Sequence, residues 1–249
     1  MKGGPRLTVS VIIPTLNEAD RIGALLDRLA ALDPTAQWIV TDGGSSDATC
    51  EIAAGQGATV VRGPRGRALQ MNAGARAATG NVLWFVHADS ALPDEALTHL
   101  RAWMASPGNA GGCFRLLIPE KGLAYRLCDR AGNVAVDLLS LACGDHGIFA
   151  RREAFIRVGG YPEVAVMEDV ELYRRLGHEG RVRQLRDVIV TSPRRWRERG
   201  AWKVTLTYLR IWALYLSGAT PETLERVYRG VAGQAQTSAA RISSETIGQ

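Results

Sequence analysis

VLWFVHAD, residues 82–89, decides the fold. Val82 through Val86 are apolar without a break, the mark of a short strand buried on both faces, and the run ends in His87-Ala88-Asp89, a polar turn that carries an acid. Open α/β sheets bind ligands outside the carboxyl ends of such strands, so Asp89 stands where a ligand would be held. A second acidic pair, Glu168-Asp169, opens a helical pattern further along the chain. The first island can hold a cation and the second can supply a base. A metal and phosphate site is therefore the leading expectation.

Upstream of this strand the chain alternates. Residues 9–13 form an apolar strand run, and Ile22, Leu25, Leu26, Leu29 and Leu32 then repeat at helical spacing until Pro34 closes the helix. Residues 37–41 and 58–62 are further strands with a helix from about Asp47 between them, and a helix through Leu69 and Ala77 to Gly80 leads into residues 82–86. Such alternation builds a mainly parallel sheet covered by helices. Downstream the pattern loosens. Pro93 opens a helix with Leu97, Leu100 and Met104 on one face, and residues 113–118, 148–150 and 182–190 read as strands, the first running away from that helix, so the sheet is expected to be mixed. Residues 123–141, mostly apolar and interrupted by Gly132, predict one or two helices closing over the site. Residues 152–157 and 168–178 predict two more.

With 249 residues the chain falls just under the size, ~250–300 residues, at which single cores divide, so one α/β domain over residues 1–200 is expected. Residues 201–233 would be a helical extension on it, and the polar, Ser/Thr-rich residues 234–249 a disordered tail. The 46% hydrophobic and 22% charged fractions are those of an ordinary globular protein, and no secretory pattern is visible, which predicts a cytoplasmic location. Cys50, Cys113, Cys128 and Cys143 have no CxxC spacing, so buried reduced thiols are expected rather than a zinc site or disulfides. The net charge of +5 gathers at Arg194, Arg195, Arg197, Arg199 and Lys203, a local basic surface rather than a stripe for nucleic acid. The segment 202–216 is rich in Trp, Tyr, Leu and Ile but includes Lys203 and Arg210, so it is too short and too charged for the ~20 apolar residues of a bilayer span. It is left as a helix that caps the core, forms a homodimer seam, or lies peripherally at the inner face of a membrane.

The residues carry the reading further. Residues 11–18, VIIPTLNE, are followed by 39–47, IVTDGGSSD, then by Gly66-Arg67 through Asn72 and Gly74, then by the His87-Ala88-Asp89 turn, and later by a Gly-Gly-aromatic turn and the Glu168-Asp169 helix start. In this order the chain resembles the inverting family 2 glycosyltransferases of the GT-A fold over roughly residues 8–200, and motifs in series are far more specific than any one alone. The departures are His87 where the family has the first aspartate of Asp-x-Asp, and Ser192 where processive relatives have the Gln of Gln-x-x-Arg-Trp. With GDHG at residues 144–147 and SPRRW at 192–196, the chain looks like a short bacterial subgroup of that family, sometimes labelled arsenosugar-biosynthesis or radical-enzyme-associated transferases.

The resemblance implies a GT-A type, Rossmann-like α/β fold and transfer of a sugar from a nucleotide donor, with UDP favoured, to an acceptor hydroxyl not named by the sequence. It assigns donor binding to Pro14, Thr15, Asn17, Glu18, Asp42, Arg67, His87 and Arg195, with Asp42 on the base and Arg67 and Arg195 on the diphosphate. Taken alone, Asn17 could instead cap the next helix, Asp42 could belong to a simple turn, and Arg67 could lie on a solvated face. Asp89 and His87 would hold a divalent metal, Mn or Mg, although His87 could equally hydrogen-bond the ribose or a phosphate. Asp145 and His146 would line the acceptor pocket. Neighbouring helix positions point about 100° apart, so Glu168 and Asp169 cannot face one acceptor. The resemblance makes Asp169 the general base and leaves Glu168 to orient a neighbour or cap the helix. Two other classes stay open, a non-catalytic nucleotide-sugar binder and a sugar-phosphate nucleotidyltransferase, although the latter's Gly-rich loop is replaced by Pro14-Thr15-Leu16-Asn17.

Overall fold

In the computed structural model, residues 7–229 are described, so the expected tail at 234–249 lies outside the described residues. The chain alternates as its pattern predicts through β1 (Val9–Thr15), α1 (Ala19–Leu32), β2 (Gln37–Asp42), α2 (Thr49–Gly55), β3 (Thr59–Arg62), α3 (Arg67–Ala77) and β4 (Val82–Phe85). Then follow α4 (Ala96–Met104), β5 (Asn109–Leu117), α5 (Leu123–Leu139), a 3-10 turn (Gly144–His146), β6 (Phe149–Arg151), α6 (Arg152–Arg157), α7 (Glu168–Glu179) and β7 (Arg181–Val190). Three helices close the described chain: α8 (Arg194–Arg199), α9 (Ala201–Leu216) and α10 (Pro221–Arg229).

The strands form one seven-stranded sheet in the order β3-β2-β1-β4-β6-β5-β7. Only β6 is reversed, antiparallel to both β4 and β5, so the sheet is mixed and mainly parallel. The period of two in β1 sorts the core. Val9, Val11 and Ile13 face the helices α1 and α4 through Ile22, Leu25, Leu26, Leu97 and Leu100, while Ile12 faces α3, α6 and α7 through Met71, Phe155 and Leu172. Sequence order reverses between β1 and β4, and the crevice at that switch point is where the site forms.

One element differs from expectation for a packing reason. β5 begins at Asn109 rather than 113, because Gly111 and Gly112 pair with neighbours on both sides where nothing larger fits. A Cβ on Gly111 would stand 2.5 Å from the Phe149 carbonyl oxygen, and one on Gly112 2.5 Å from that of Arg183. A Gly-Gly pair reads as a turn locally, yet here close backbone approach requires it inside a strand. Of the one or two helices expected over 123–141, the chain forms one, α5, unbroken through Gly132, which lets Trp212 of α9 approach to 3.5 Å of where a Cβ would stand.

The C-terminal helices pack on the domain. Val204, Thr205 and Ile211 of α9 are buried, and Thr205 joins three elements by accepting from Trp196 Nε1 at 3.3 Å and donating to the Ala124 carbonyl at 3.2 Å. The opposite side of α9 leaves Trp202, Leu206 and Leu216 about half exposed, and α5 leaves Leu123 and Leu138 72% and 75% exposed. Among the described residues no helix is long and apolar enough to cross a membrane.

Candidate active site

A cavity of about 360 Å³ opens at the carboxyl ends of β1 and β4. Pro14 and Thr15 end β1 and wall one side with Glu18, while His87 and Asp89 follow β4 on another. Arg67 and Gln70, on the first turns of α3, form the floor. The N-terminus of that 11-residue helix therefore faces the space, and its unpaired N–H groups make it favourable to an anion. Arg194, Arg195 and Tyr228 close the far side from α8 and α10.

Asn17 and Asp42 do not line this cavity; they build its rim. Asn17 holds left-handed backbone (φ 55°), receives the Ser46 N–H on its side-chain oxygen at 2.9 Å, and donates its own N–H to Ser45 Oγ at 2.8 Å. Glu18 N–H reaches Thr49 Oγ1 at 2.9 Å, so the loops after β1 and β2 are cross-locked. Asp42 is 2% exposed and takes the N–H groups of Gly44 and Ser45 at 3.0 and 2.9 Å, with Ser45 Oγ and Thr15 Oγ1 as further donors. Burial opposes its ionisation, but these donors win and hold the carboxyl below its ordinary range. Both Asp42 oxygens are thus engaged within the turn. Gln70 and Asn72 are structural as well. Gln70 ties the Thr15 and Thr41 carbonyls together at 2.8 and 2.7 Å, and Asn72 makes two 2.9 Å bonds to the backbone of Tyr161.

The acidic pair divides as helix geometry requires. Met167, just before α7, sits in left-handed backbone (φ 68°), which costs a non-glycine residue about 1–2 kcal/mol. Glu168 then faces the main cavity and pairs with Arg67 at 2.7 Å, itself only 3% exposed. Arg67 accordingly stays charged, its pKa raised first by Glu168. Asp169 faces a smaller chamber of about 90 Å³ behind the same wall. Arg67, Asp145, Arg195 and Tyr228 border both spaces. Asp169 Oδ2 accepts the Gly144 N–H at 2.9 Å, and its buried Oδ1 has no partner. Burial first, and then the charge of Glu168, push its carboxyl up to about 7 against the pull of Arg67 and His87.

Asp145 joins the two cavities, with its Oδ1 2.9 Å from His87 Nδ1. Burial opposes the Asp145 charge, but His87, Arg195 and Arg67 hold it well below the usual carboxylate range, while Asp145 in turn raises the His87 pKa against the effect of burial. His146 is absent from the main cavity. It is fully buried beside the chamber, with Nδ1 near Cys143 and Nε2 unpartnered, and burial lowers its pKa to about 4, so the ring is neutral. Arg195 hydrogen-bonds the Tyr208 hydroxyl and lies 5.9 Å from the Tyr228 ring centroid.

As metal donors, Asp89 and His87 differ. Asp89 lines the cavity with no side-chain hydrogen bond or close ion pair among the described residues, which suits a hard cation whose other ligands are phosphate oxygens. His87 is less suited, because Asp145 favours its protonated ring and its Nε2 packs against Gly144, 2.8 Å from where a Cβ would stand. No group of three or more His, Cys, Asp or Glu able to hold a metal occurs among the described residues. Residues that the sequence does not flag include Glu163, Val164 and Ala165, from the loop before α7, and Glu225 and Tyr228 of α10. Glu163 to Ala165 lie between the Gly-Gly-aromatic turn at 159–161 and Glu168, and Arg65 precedes Gly66-Arg67, so these stand beside a motif, whereas Glu225 and Tyr228 lie far from every motif along the chain.

The family model described as Glycosyl transferase family 2 matches residues 10–158. Succinoglycan biosynthesis protein ExoA of Rhizobium meliloti (strain 1021) is 32% identical over 195 residues, 68% of this chain, and the chain spans 58% of that relative's length. Among solved structures, the mannosyltransferase PcManGT from Pyrobaculum calidifontis, in complex with GDP-Man and Mn2+, superposes with a TM-score of 0.67 at 21% identity, covering 98% of this chain and 76% of its own. Glucosyl-3-phosphoglycerate synthase from Mycobacterium tuberculosis, with Mn2+, UDP and glucosyl-3-phosphoglycerate, gives 0.59 at 21% identity, covering 86% and 81%. At such identities these structures speak for the GT-A fold alone. With the family match covering more than half of the sequence and that sheet beneath it, the chain belongs to glycosyl transferase family 2.

Proposed function

We propose that this protein moves a sugar, with inversion, from a nucleoside diphosphate donor in the main cavity to an acceptor hydroxyl presented at Asp169. The observation that carries this reading is the buried, unpartnered Oδ1 of Asp169, whose burial beside Glu168 raises its pKa, in a space separate from the cavity with the Arg67 cation and the α3 N-terminus. Base and leaving group would then act from different sides, as a direct displacement requires. The acceptor oxygen forms a bond to the anomeric carbon and gives its proton to Asp169. The bond from that carbon to the diphosphate breaks, and its electron pair leaves with the phosphate. A base with pKa near the working pH is well matched to this transfer. Arg67, Arg195 and the first N–H groups of α3 would meet the charge that develops on the diphosphate.

A divalent cation, Mn or Mg, would be held by Asp89 together with phosphate oxygens and would add to that neutralisation. The Mn2+ bound in the two structural relatives supports this choice. UDP stands first as nucleotide through the resemblance, with GDP retained because of the GDP-Man complex. The His-Ala-Asp turn supports the short bacterial subgroup, and Ser192 in place of Gln supports a single, non-processive transfer.

The test is thermal stabilisation by nucleoside diphosphates, each with and without Mn or Mg. A ligand at ~100 times its Kd should add ~2.7 kcal/mol. One diphosphate should stand out and gain from the metal, and Asp89→Asn should lose the metal-dependent increment alone. No response to any diphosphate would remove the donor site from consideration.

The outward apolar residues of α5 and α9, with exposed Lys203 and Arg210 among them, support a peripheral seat on an anionic membrane over a homodimer seam, where two copies would bring like charges together. Vesicles containing anionic lipid should therefore co-sediment the protein and neutral vesicles should not; equal partition would refute the seat.

A further inference from the structure

We infer that the acceptor is an alcohol whose hydroxyl is carried on an apolar, alkyl or aryl body, rather than a sugar or a phosphorylated acid. The inference rests on the transfer reading above and specifies its second substrate. The chamber that Asp169 faces is walled by Trp196, Tyr208, Ile211 and Trp212 from the C-terminal helices and by Cys128 and Gly132 of α5. Its polar groups are mostly spent. Arg67 is paired with Glu168, Asp145 with His87, and the Tyr208 hydroxyl with Arg195.

Two buried polar atoms of the lining residues lack a partner, Asp169 Oδ1 and His146 Nε2. That suits a molecule with one hydroxyl and little else to satisfy. Asp169 takes the proton as the oxygen bonds to the anomeric carbon, and the neutral His146 ring, donating from Nε2 when Nδ1 accepts the Cys143 N–H, orients the incoming oxygen. A pyranose in the same space would bring several hydroxyls to aromatic and aliphatic walls, each left unpaired at a cost. A phosphorylated acid would meet Arg67 already paired with Glu168 and Arg195 already engaged by Tyr208, and would set its charge beside the Asp145 carboxylate. The chamber volume, about 90 Å³, admits the hydroxyl-bearing end of such an alcohol.

Gly132 provides the means of testing this. A Cβ there would meet Trp212 at 3.5 Å and His146 at 3.8 Å, ordinary contacts, so Gly132→Ala can fold while narrowing the chamber, and Gly132→Val narrows it further. Benzyl alcohol and 1-hexanol, titrated calorimetrically into the full chain saturated with UDP and Mn, are expected to bind at least tenfold more tightly than methyl α-glucoside or 3-phosphoglycerate. The preference should fall stepwise in the Ala and Val variants, with unfolding still cooperative. Equal or tighter binding of the glucoside or the phosphorylated acid, or alcohol binding indifferent to residue 132, would overturn the inference while leaving the transfer reading intact. Failure of any nucleoside diphosphate to bind the wild type would instead remove that reading, and the acceptor role with it.

Discussion

Asp169→Asn should reduce turnover by ~10²–10⁴-fold, the usual contribution of a positioned general base, while donor binding stays within a fewfold of wild type. Asn can still accept the Gly144 N–H at Oδ2's position, so the local backbone has no reason to move. Wild-type kcat should rise with pH through about 7, as the carboxyl loses its proton, and this limb should vanish in the variant. Stability should move the other way. The native carboxyl holds its proton to higher pH than the unfolded one, with its pKa of ~3.9, so the native state binds more protons between those values. Its contribution is fully present below the unfolded pKa and is lost as pH rises through about 7. At pH 8 the Asn variant, with no charge to bury, should therefore melt at a higher temperature than wild type, and at pH 4 the gap should close. A base that is also a stability cost is the signature of a functional group. Retained turnover would dismiss Asp169 as base. A wild type that binds donor but never turns over would favour the nucleotide-sugar binder.

Arg67→Met carries the second large effect. Glu168 is 3% exposed, its Oε1 is paired with Arg67 at 2.7 Å, and its Oε2 has no partner. Removing one member of a buried ion pair costs ~3–5 kcal/mol, and because Arg67 keeps a third of its side chain in solvent the loss should lie at the lower end, about 3 kcal/mol. Diphosphate affinity should fall as well, by at least tenfold, since the guanidinium borders both cavities. The double variant Arg67→Met, Glu168→Gln separates the two roles: chemical denaturation should show most of the stability recovered, while diphosphate binding stays weak. If the double variant regained diphosphate affinity, Arg67 would be a structural partner of Glu168 and nothing more.

Much of the fold was legible because its signals are local. The strand runs at residues 9–13 and 82–86 and the leucine spacing of α1 reappear within a residue or two, since burial on both faces leaves an unbroken apolar run in a strand and burial on one face leaves a period in a helix. The site was legible as a set of motifs but less so as a set of roles. Asn17, Asp42, Asn72 and Gly74 belong to the family pattern, and inside the fold each also makes contacts that no motif shows: Gly74 brings α3 so close to the sheet that a Cβ would stand 2.4 Å from Ile12 Cγ2. A motif records that a residue is needed, and hydrogen bonding inside the fold decides for what.

By itself the sequence determined the class of sheet, the place of the crevice after β1 and β4, and the assignment of the two acids of α7 to different directions. Each follows from short-range geometry: strand alternation, the edge at which parallel strands end, and the 100° step between helix neighbours. Only the tertiary structure decided that Glu168 is spent on Arg67, that Asp169 lies in a second chamber with one oxygen unpaired, and that α9 and α10, from the far end of the chain, wall the space beside it. Those outcomes depend on burial and on partners brought together from distant positions. The environment of a carboxylate sets its pKa, and that environment exists only once the chain has folded.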